Sequence, residues 1–324
     1  MVIVYVLVII LFSFLLIKSA DLALVSLKKI SRRTHTGAFA LPAVILAIGT
    51  SLPELFVAIT SGLQNVSNFS LGVILGSNIA NTTLVLGSAA LLSGTVYVRG
   101  NLIKRDISIA FIAGMLPLLF ILDGTLSRID GLTLLAVYGA YASSFFRGTY
   151  KRIAKEEEHD PYLYRILKRF NEMHFGAGGK DYGKLFVSVA LLLFSADMIV
   201  RSSRALAEIT NVPIFVVGVI LIAIGATLPE LAFSLRALKE HSAEMFYGNI
   251  LGSIIANSTL IVGIAAILSP VKIVALDKYL FAAGAFVFMF IFFWLFTYSK
   301  RRLDRWEAAI LLGLYIVFVI LEFL

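Results

Sequence analysis

The chain of 324 residues contains no cysteine, which excludes disulfides, thiolate metal centres and cysteine nucleophiles together. Charge is scarce as well: Asp, Glu, Lys and Arg make up 15% of the residues, against about a quarter in soluble domains. Only four histidines occur, and His35, His159, His174 and His241 all fall in predicted loops, too scattered for an imidazole cluster. No Walker-type glycine loop is present, so nothing supports direct coupling to ATP. The apolar run from Val2 has neither a basic leader nor a small-residue cleavage site, and its first charge is Lys18. A retained first span is expected there, not a signal peptide.

What remains is apolar. The hydrophobic fraction is 59% and the mean hydropathy +0.93, more than a private core can absorb, so the excess is expected to face lipid. A bilayer core is crossed by about 20 apolar residues of helix. Ten such segments are predicted, at 2–27, 37–63, 69–94, 107–123, 129–146, 185–209, 212–237, 245–269, 277–298 and 306–323. The polar stretch 147–184 reads as a cytoplasmic linker between a first repeat, 1–146, and a second, 185–324. Lysine and arginine crowd the loops after odd-numbered spans: Lys28, Lys29, Arg32, Arg33, Arg99, Lys104, Arg105, the linker, Lys239, Lys300–Arg302 and Arg305. The other side holds Arg128, Arg201, Arg204, Lys272 and Lys278. By the positive-inside rule both termini are expected outside a cell membrane. The net charge of +8 is thereby read as membrane orientation, not as nucleic-acid binding.

The sequence repeats itself. Ala47-Ile-Gly-Thr-Ser-Leu-Pro-Glu-Leu55 returns as Ala223-Ile-Gly-Ala-Thr-Leu-Pro-Glu-Leu231, and Gly76-Ser-Asn-Ile-Ala-Asn-Thr-Thr-Leu84 as Gly252-Ser-Ile-Ile-Ala-Asn-Ser-Thr-Leu260. Ser19-Ala20-Asp21 matches Ser195-Ala196-Asp197, and Gly87 matches Gly263, all at one offset of 176. A constant offset over this length is a duplication. With five spans per copy, an odd number, the second copy enters the membrane from the opposite side, which places a transport site near the midplane where the copies meet.

The duplicated motifs carry the chemistry. Pro53 and Pro229 lack an N–H and break the helix before Glu54 and Glu230. Carbonyls freed at membrane depth are tolerable where they line a polar cavity or bind an ion. An ionised carboxylate in a span is costly unless paired or coordinated. Ser77 and Asn81, and again Ser253 and Asn257, are four apart and share a helix face. The donors are therefore two carboxylates, two amides, the hydroxyls of Ser51, Thr227, Ser77 and Ser253, and backbone carbonyls. An all-oxygen set suits hard cations: Ca²⁺ takes about 6–8 oxygens, and Mg²⁺ demands a tighter octahedron. Two glutamates balance one Ca²⁺, and the same oxygens can be shared by several Na⁺.

These paired motifs resemble the α-repeats of the cation/Ca²⁺ antiporter (sodium/calcium exchanger) family, and the length and ten-span layout resemble its compact prokaryotic members. The resemblance implies an all-α integral membrane fold: ten transmembrane helices as two inverted five-helix repeats, with helices 2, 3, 7 and 8 broken. It implies Glu54 and Glu230 as central ligands shared by Ca²⁺ and Na⁺. Ser51, Ser77, Thr227 and Ser253 would offer hydroxyls, Ala47, Thr50, Ala223 and Ala226 carbonyls, and Asn81 and Asn257 would close the middle. The first and sixth helices would slide across the rest as a gate. The chain departs from the family pattern in three places: Ala226 lacks the hydroxyl of Thr50, Val73 stands where an asparagine is common, and Asn257 stands where some relatives carry an acid. The last argues against K⁺ co-transport.

The expected function is exchange of Na⁺ for Ca²⁺ by alternating access, with H⁺/Ca²⁺ or other divalent-cation exchange as the alternative. An intramembrane protease lacks its nucleophile and base, and a channel would conduct without a counter-substrate. No enzyme activity, cofactor, nucleic acid or obligate protein partner is expected; the partners are Ca²⁺, Na⁺ or H⁺, and the bilayer. Asp21 and Asp197 are read as structural, Asp123 and Asp130 as turn residues, and the phenylalanine-rich stretch 285–296 as lipid-facing bulk.

Overall fold

A computed structural model describes residues 1–33, 51–97, 101–156 and 179–323. The first half consists of α1 (Val2–Arg33), α2 (Leu52–Leu63), α3 (Ser67–Ala80), α4 (Leu86–Ser93), α5 (Asn101–Phe120) and α6 (Arg128–Glu156). The second consists of α7 (Gly179–Thr210), α8 (Ile214–Val217), α9 (Ala223–Ala226), α10 (Leu228–Lys239), α11 (Ala243–Ile255), α12 (Val262–Leu268), α13 (Leu276–Lys300) and α14 (Arg305–Phe323). The 176-residue offset carries over to the elements: α2 shifted by it has the bounds of α10, and Ser67 becomes Ala243 at the start of α11.

Among the described residues, seven helical runs are long and apolar enough to cross a membrane: Val2–Ser26, Ser67–Ser93, Arg105–Asp123, Asp181–Thr210, Ile214–Lys239, Ala243–Leu268 and Leu276–Tyr298. The predicted spans 129–146 and 306–323 are helical, as α6 and α14, but fall outside those seven. Of the predicted span 37–63, only the part from Ser51 is described. The predicted linker 147–184 is helical at both ends, because α6 runs on to Glu156 and α7 starts at Gly179. Tyr150-Lys-Arg-Ile-Ala-Lys-Glu is polar yet made largely of good helix formers, so polarity alone does not mark a helix end. Residues 157–178 lie outside the described ones.

Local chemistry separates two ways of interrupting a helix. Pro53 and Pro229 sit in the first turn of α2 and α10, where the missing N–H has no intrahelical acceptor to lose. The residue before each helix has the same backbone: φ −90°, ψ 12° at Ser51 and φ −86°, ψ 0° at Thr227. The predicted breaks in spans three and eight take another form. There the helix continues through wide π-turns, Asn81–Val85 between α3 and α4 and Ala256–Ile261 between α11 and α12. Neither stretch contains proline. Instead Thr83 donates to the Ile79 carbonyl at 2.6 Å, and its repeat counterpart Thr259 to the Ile255 carbonyl at 2.5 Å. Such back-bonding accompanies these two turns; a third π-turn, Gly218–Ile222 between α8 and α9, contains no hydroxyl side chain.

Two helical runs form the centre. Ser67–Ser93 is 94% buried across its apolar window and Ala243–Leu268 83%, against 17% for Val2–Ser26. Glycine allows the contact: a Cβ on Gly76 would come 2.1 Å from the Val219 carbonyl oxygen, and one on Gly72 2.4 Å from that of Phe215. The backbone of α3 thus lies directly on the α8–α9 run, as small residues allow between membrane helices. Helices α1 and α7 pack on each other and bury a separate apolar cluster with Val57, Phe69 and Val73.

The halves interlock. Strand β1 (Val96–Tyr97) pairs antiparallel with β4 (Arg302–Leu303), and β2 (Thr125–Leu126) with β3 (Val271–Lys272), each pair joining one half to the other. Gly87 of α4 lies against Ala308 of α14, as Gly263 of α12 lies against Gly131 of α6. Asp123 and Asp130 hold the turn before α6 by accepting from the backbone N–H of Thr125 and Ser127. The phenylalanine-rich stretch is not uniform lipid-facing bulk. Phe286, Phe290 and Phe293, at i, i+4 and i+7 on α13, are fully buried, and the Phe290 ring lies 5.2 Å from that of Phe111, tilted by 43°; Phe288 faces outward. Composition did not separate two faces that helical periodicity does.

Candidate cation site

The Pro-Glu helices deliver both carboxylates to the interior. Glu54 lies one turn into α2 and Glu230 one turn into α10, and both are fully buried. Each glutamate helix leans on the other half: α2 packs against the π-turn 256–261 and α12, and α10 against the π-turn 81–85 and α4.

Around the acids the donors are few. Ser253 Oγ donates to Glu230 Oε1 across a long 3.4 Å. Ser77, the repeat counterpart of Ser253, is buried and makes no such hydrogen bond among the described residues. Among the described residues, both oxygens of Glu54 and Oε2 of Glu230 are buried with no partner. So are Ser51 Oγ, Ser77 Oγ, Asn257 Oδ1 and both amide atoms of Asn81. Buried polar atoms are nearly always paired, and an unpaired carboxylate is the costliest exception. This cluster gathers negative charge and neutral oxygen and leaves both uncompensated, which is the electrostatic demand for a cation.

Other predicted ligands are placed differently. Thr227 is 1% exposed, but its hydroxyl turns back along its own helix to the Ala223 carbonyl at 3.0 Å and the Ile224 carbonyl at 3.2 Å. The Ala223 carbonyl also accepts the Thr227 N–H at 3.1 Å. Ala223 and Ala226 are buried; Ala47 and Thr50 lie outside the described residues. No group of three or more His, Cys, Asp or Glu side chains gathers among the described residues. Asp197 ties α7 to the end of α2, accepting from Gln64 Nε2 at 2.6 Å while pairing with Arg201 at 2.8 Å; Asp21 is exposed.

Sequence reasoning missed a second set of buried polar side chains. Asn78 donates to Ser258 Oγ at 2.7 Å and accepts from Asn257 Nδ2 at 3.2 Å, joining the two central helical runs. Ser234 and Asn249 are buried one turn beyond Glu230 and Ser253, and neither is partnered. The available signal was departure from the repeat: the counterparts of Asn78, Ser234 and Asn249 are Ile254, Ala58 and Val73.

The fold and this cluster define a mostly helical membrane protein built of duplicated halves around an oxygen-lined, negatively charged interior. The chain belongs to the sodium/calcium exchanger protein family, whose model matches residues 4–147 and 181–324. Among its relatives, the sodium/calcium exchanger MaX1 of Methanosarcina acetivorans is 27% identical over 335 residues, covering 95% of each chain. The inner membrane protein YrbG of Escherichia coli is 29% identical over 231 residues, covering 71% of this chain and 69% of that one. A solved structure of the sodium-calcium exchanger NCX_Mj, soaked with 2.5 mM Na⁺ and 0.1 mM Ca²⁺, is similar with a TM-score of 0.61 at 26% identity, covering 99% of both chains.

Proposed function

We propose that this chain is a secondary active antiporter that exchanges Na⁺ for Ca²⁺ across a cell membrane by alternating access. One observation carries the reading: two fully buried carboxylates stand on the duplicated Pro-Glu helices, and among the described residues three of their four oxygens have no hydrogen-bond partner. Two like charges in that position are held apart from water at a cost of several kcal/mol, which a divalent cation between them removes. Glu54 and Glu230 are the central ligands. Ser51, Ser77, Thr227 and Ser253 contribute hydroxyls, Asn81 and Asn257 amide oxygens, and Ala47, Thr50, Ala223 and Ala226 carbonyls. Several Na⁺ can share the oxygens that one Ca²⁺ occupies, and competition for shared ligands is what couples the two fluxes. The similarity to MaX1 and NCX_Mj, both sodium/calcium exchangers, supports the same reading.

The architecture that goes with it is ten spans in two inverted five-helix repeats, 1–146 and 185–324, with the linker 147–184 in the cytoplasm and both termini outside. Interlocking of the halves through α2 and α10 supports it, since the helix of each acid packs on the other half's asparagine turn. No covalent step or cofactor is involved. The test is ⁴⁵Ca²⁺ uptake into proteoliposomes driven by an outward Na⁺ gradient, with and without a pH gradient. Uptake should follow the Na⁺ gradient and ignore pH. Uptake that follows pH and ignores Na⁺ would replace this reading with H⁺/Ca²⁺ exchange.

A further inference from the structure

We propose that Asn78 is a positioning residue that locks the Asn257 carboxamide with its oxygen, and not its NH₂, presented to the cation site. The inference rests on the reading of the Glu54–Glu230 region as that site.

A carboxamide has a donor end and an acceptor end, so holding one fixes the direction of the other. Asn78 Oδ1 accepts from Asn257 Nδ2 at 3.2 Å. The opposite end of Asn257, Oδ1, is left fully buried with no donor, one turn beyond Ser253, whose hydroxyl meets Glu230. Asn78 is itself held: its Nδ2 donates to Ser258 Oγ at 2.7 Å, and it is 3% exposed. As placed, the chain Asn257–Asn78–Ser258 runs from donor to acceptor and ends on a bare oxygen, an order that holds while the Ser258 hydroxyl accepts, since a hydroxyl can also donate.

That polarity matters for a hard cation. An amide oxygen adds a ligand; an amide NH₂ in its place would repel the ion and donate to a carboxylate, so that every cation would first have to displace it. Neighbouring unpaired carboxylates favour the wrong orientation, and Asn78 opposes it. The lock exists on one side. The repeat counterpart of Asn78 is Ile254, and Asn81, the counterpart of Asn257, has neither amide atom partnered. The site thus has one fixed amide oxygen and one free amide.

Calcium titration calorimetry on the purified full chain tests this as a double-mutant cycle. Asn78→Leu should weaken Ca²⁺ binding by about five- to tenfold, the worth of roughly one net hydrogen bond. In the Asn257→Asp background the same substitution should change binding less than about twofold, because a carboxylate presents oxygen whichever way it turns. Equal losses in both backgrounds would mean that Asn78 only packs, and would overturn the proposal. Tighter binding in Asn78→Leu would also overturn it, by showing the NH₂ inward in the native chain. Should Asn78→Leu not fold, Ser258→Ala removes the acceptor that holds Asn78. It should weaken binding about two- to threefold, again without effect in the Asn257→Asp background. Native protein that binds no Ca²⁺, or Glu230→Gln that binds as well as native, sinks the exchange reading. Native binding lost in Glu230→Gln, with no coupling between positions 78 and 257, sinks the Asn78 lock alone.

Discussion

The two halves agree where the chain breaks and differ around the breaks. Ser51 and Thr227 share a backbone conformation, Glu54 and Glu230 the same depth, and Thr83 and Thr259 the same back-bond into a π-turn. One helical turn away the agreement ends. The second half places Ser234 and Asn249 beyond its glutamate, where the first has Ala58 and Val73. The first half has Asn78 at the centre, where the second has Ile254. What is duplicated is the capacity to hold a cation; what differs is how the approach to it is lined and how its ligands are steered.

The largest expected effect tests the shared part. Glu54→Gln and Glu230→Gln should each lower ⁴⁵Ca²⁺ uptake by at least ~100-fold, since either change halves the charge that opposes a divalent ion. Both variants should remain folded and monodisperse, because the change relieves a buried, unpaired charge. Exchange that survives in one variant but not the other would break the symmetry of the site at its most symmetric point.

A smaller effect tests the difference. Asn249 is 5% exposed and neither amide atom is paired, a defect worth about 1–3 kcal/mol. Its counterpart Val73 is fully buried and well packed, so Asn249→Val should fit. The expected outcome is higher thermal stability of the ion-free protein, by about 1 kcal/mol, with exchange slowed about three- to tenfold because the polar lining next to Glu230 is lost. If stability rises while exchange is unchanged, Asn249 has no part in the approach of the ion.

These contrasts also show what the sequence could reveal. The offset of 176, the Pro-Glu pairs and the oxygen-only donors were legible because each is local in the chain and stated twice. The break at Thr227 followed from Pro229. The π-turns were not legible as such, since no spacing of apolar residues encodes them. Thr227 was assigned a hydroxyl ligand by residue type, which does not reveal that its proton is directed to the Ala223 and Ile224 carbonyls. Asn78 was read within its motif without a role, because its partners Asn257 and Ser258 lie 179 and 180 residues away. The buried face of α13 was hidden by composition alone, although Phe286, Phe290 and Phe293 carry the helical period in plain view.

The smallest expected effect concerns a tie that only one half can make. Gln64 at the end of α2 donates to Asp197 of α7 at 2.6 Å. The corresponding pair in the other half is Glu240 and Asp21, two acids, and Glu240 pairs with Arg236 on its own helix instead. Gln64→Glu makes the halves alike here by setting a second carboxylate against Asp197. The pair is partly exposed and Arg201 remains beside it, so screening keeps the cost small, about 0.5–1 kcal/mol. Thermal unfolding should fall by that amount, and amide exchange should quicken at the end of α2 and stay unchanged at the end of α10. Equal protection at both ends in the native chain would remove the asymmetry, and with it the idea that Gln64 fastens the α1–α7 pair to one half of the protein in preference to the other.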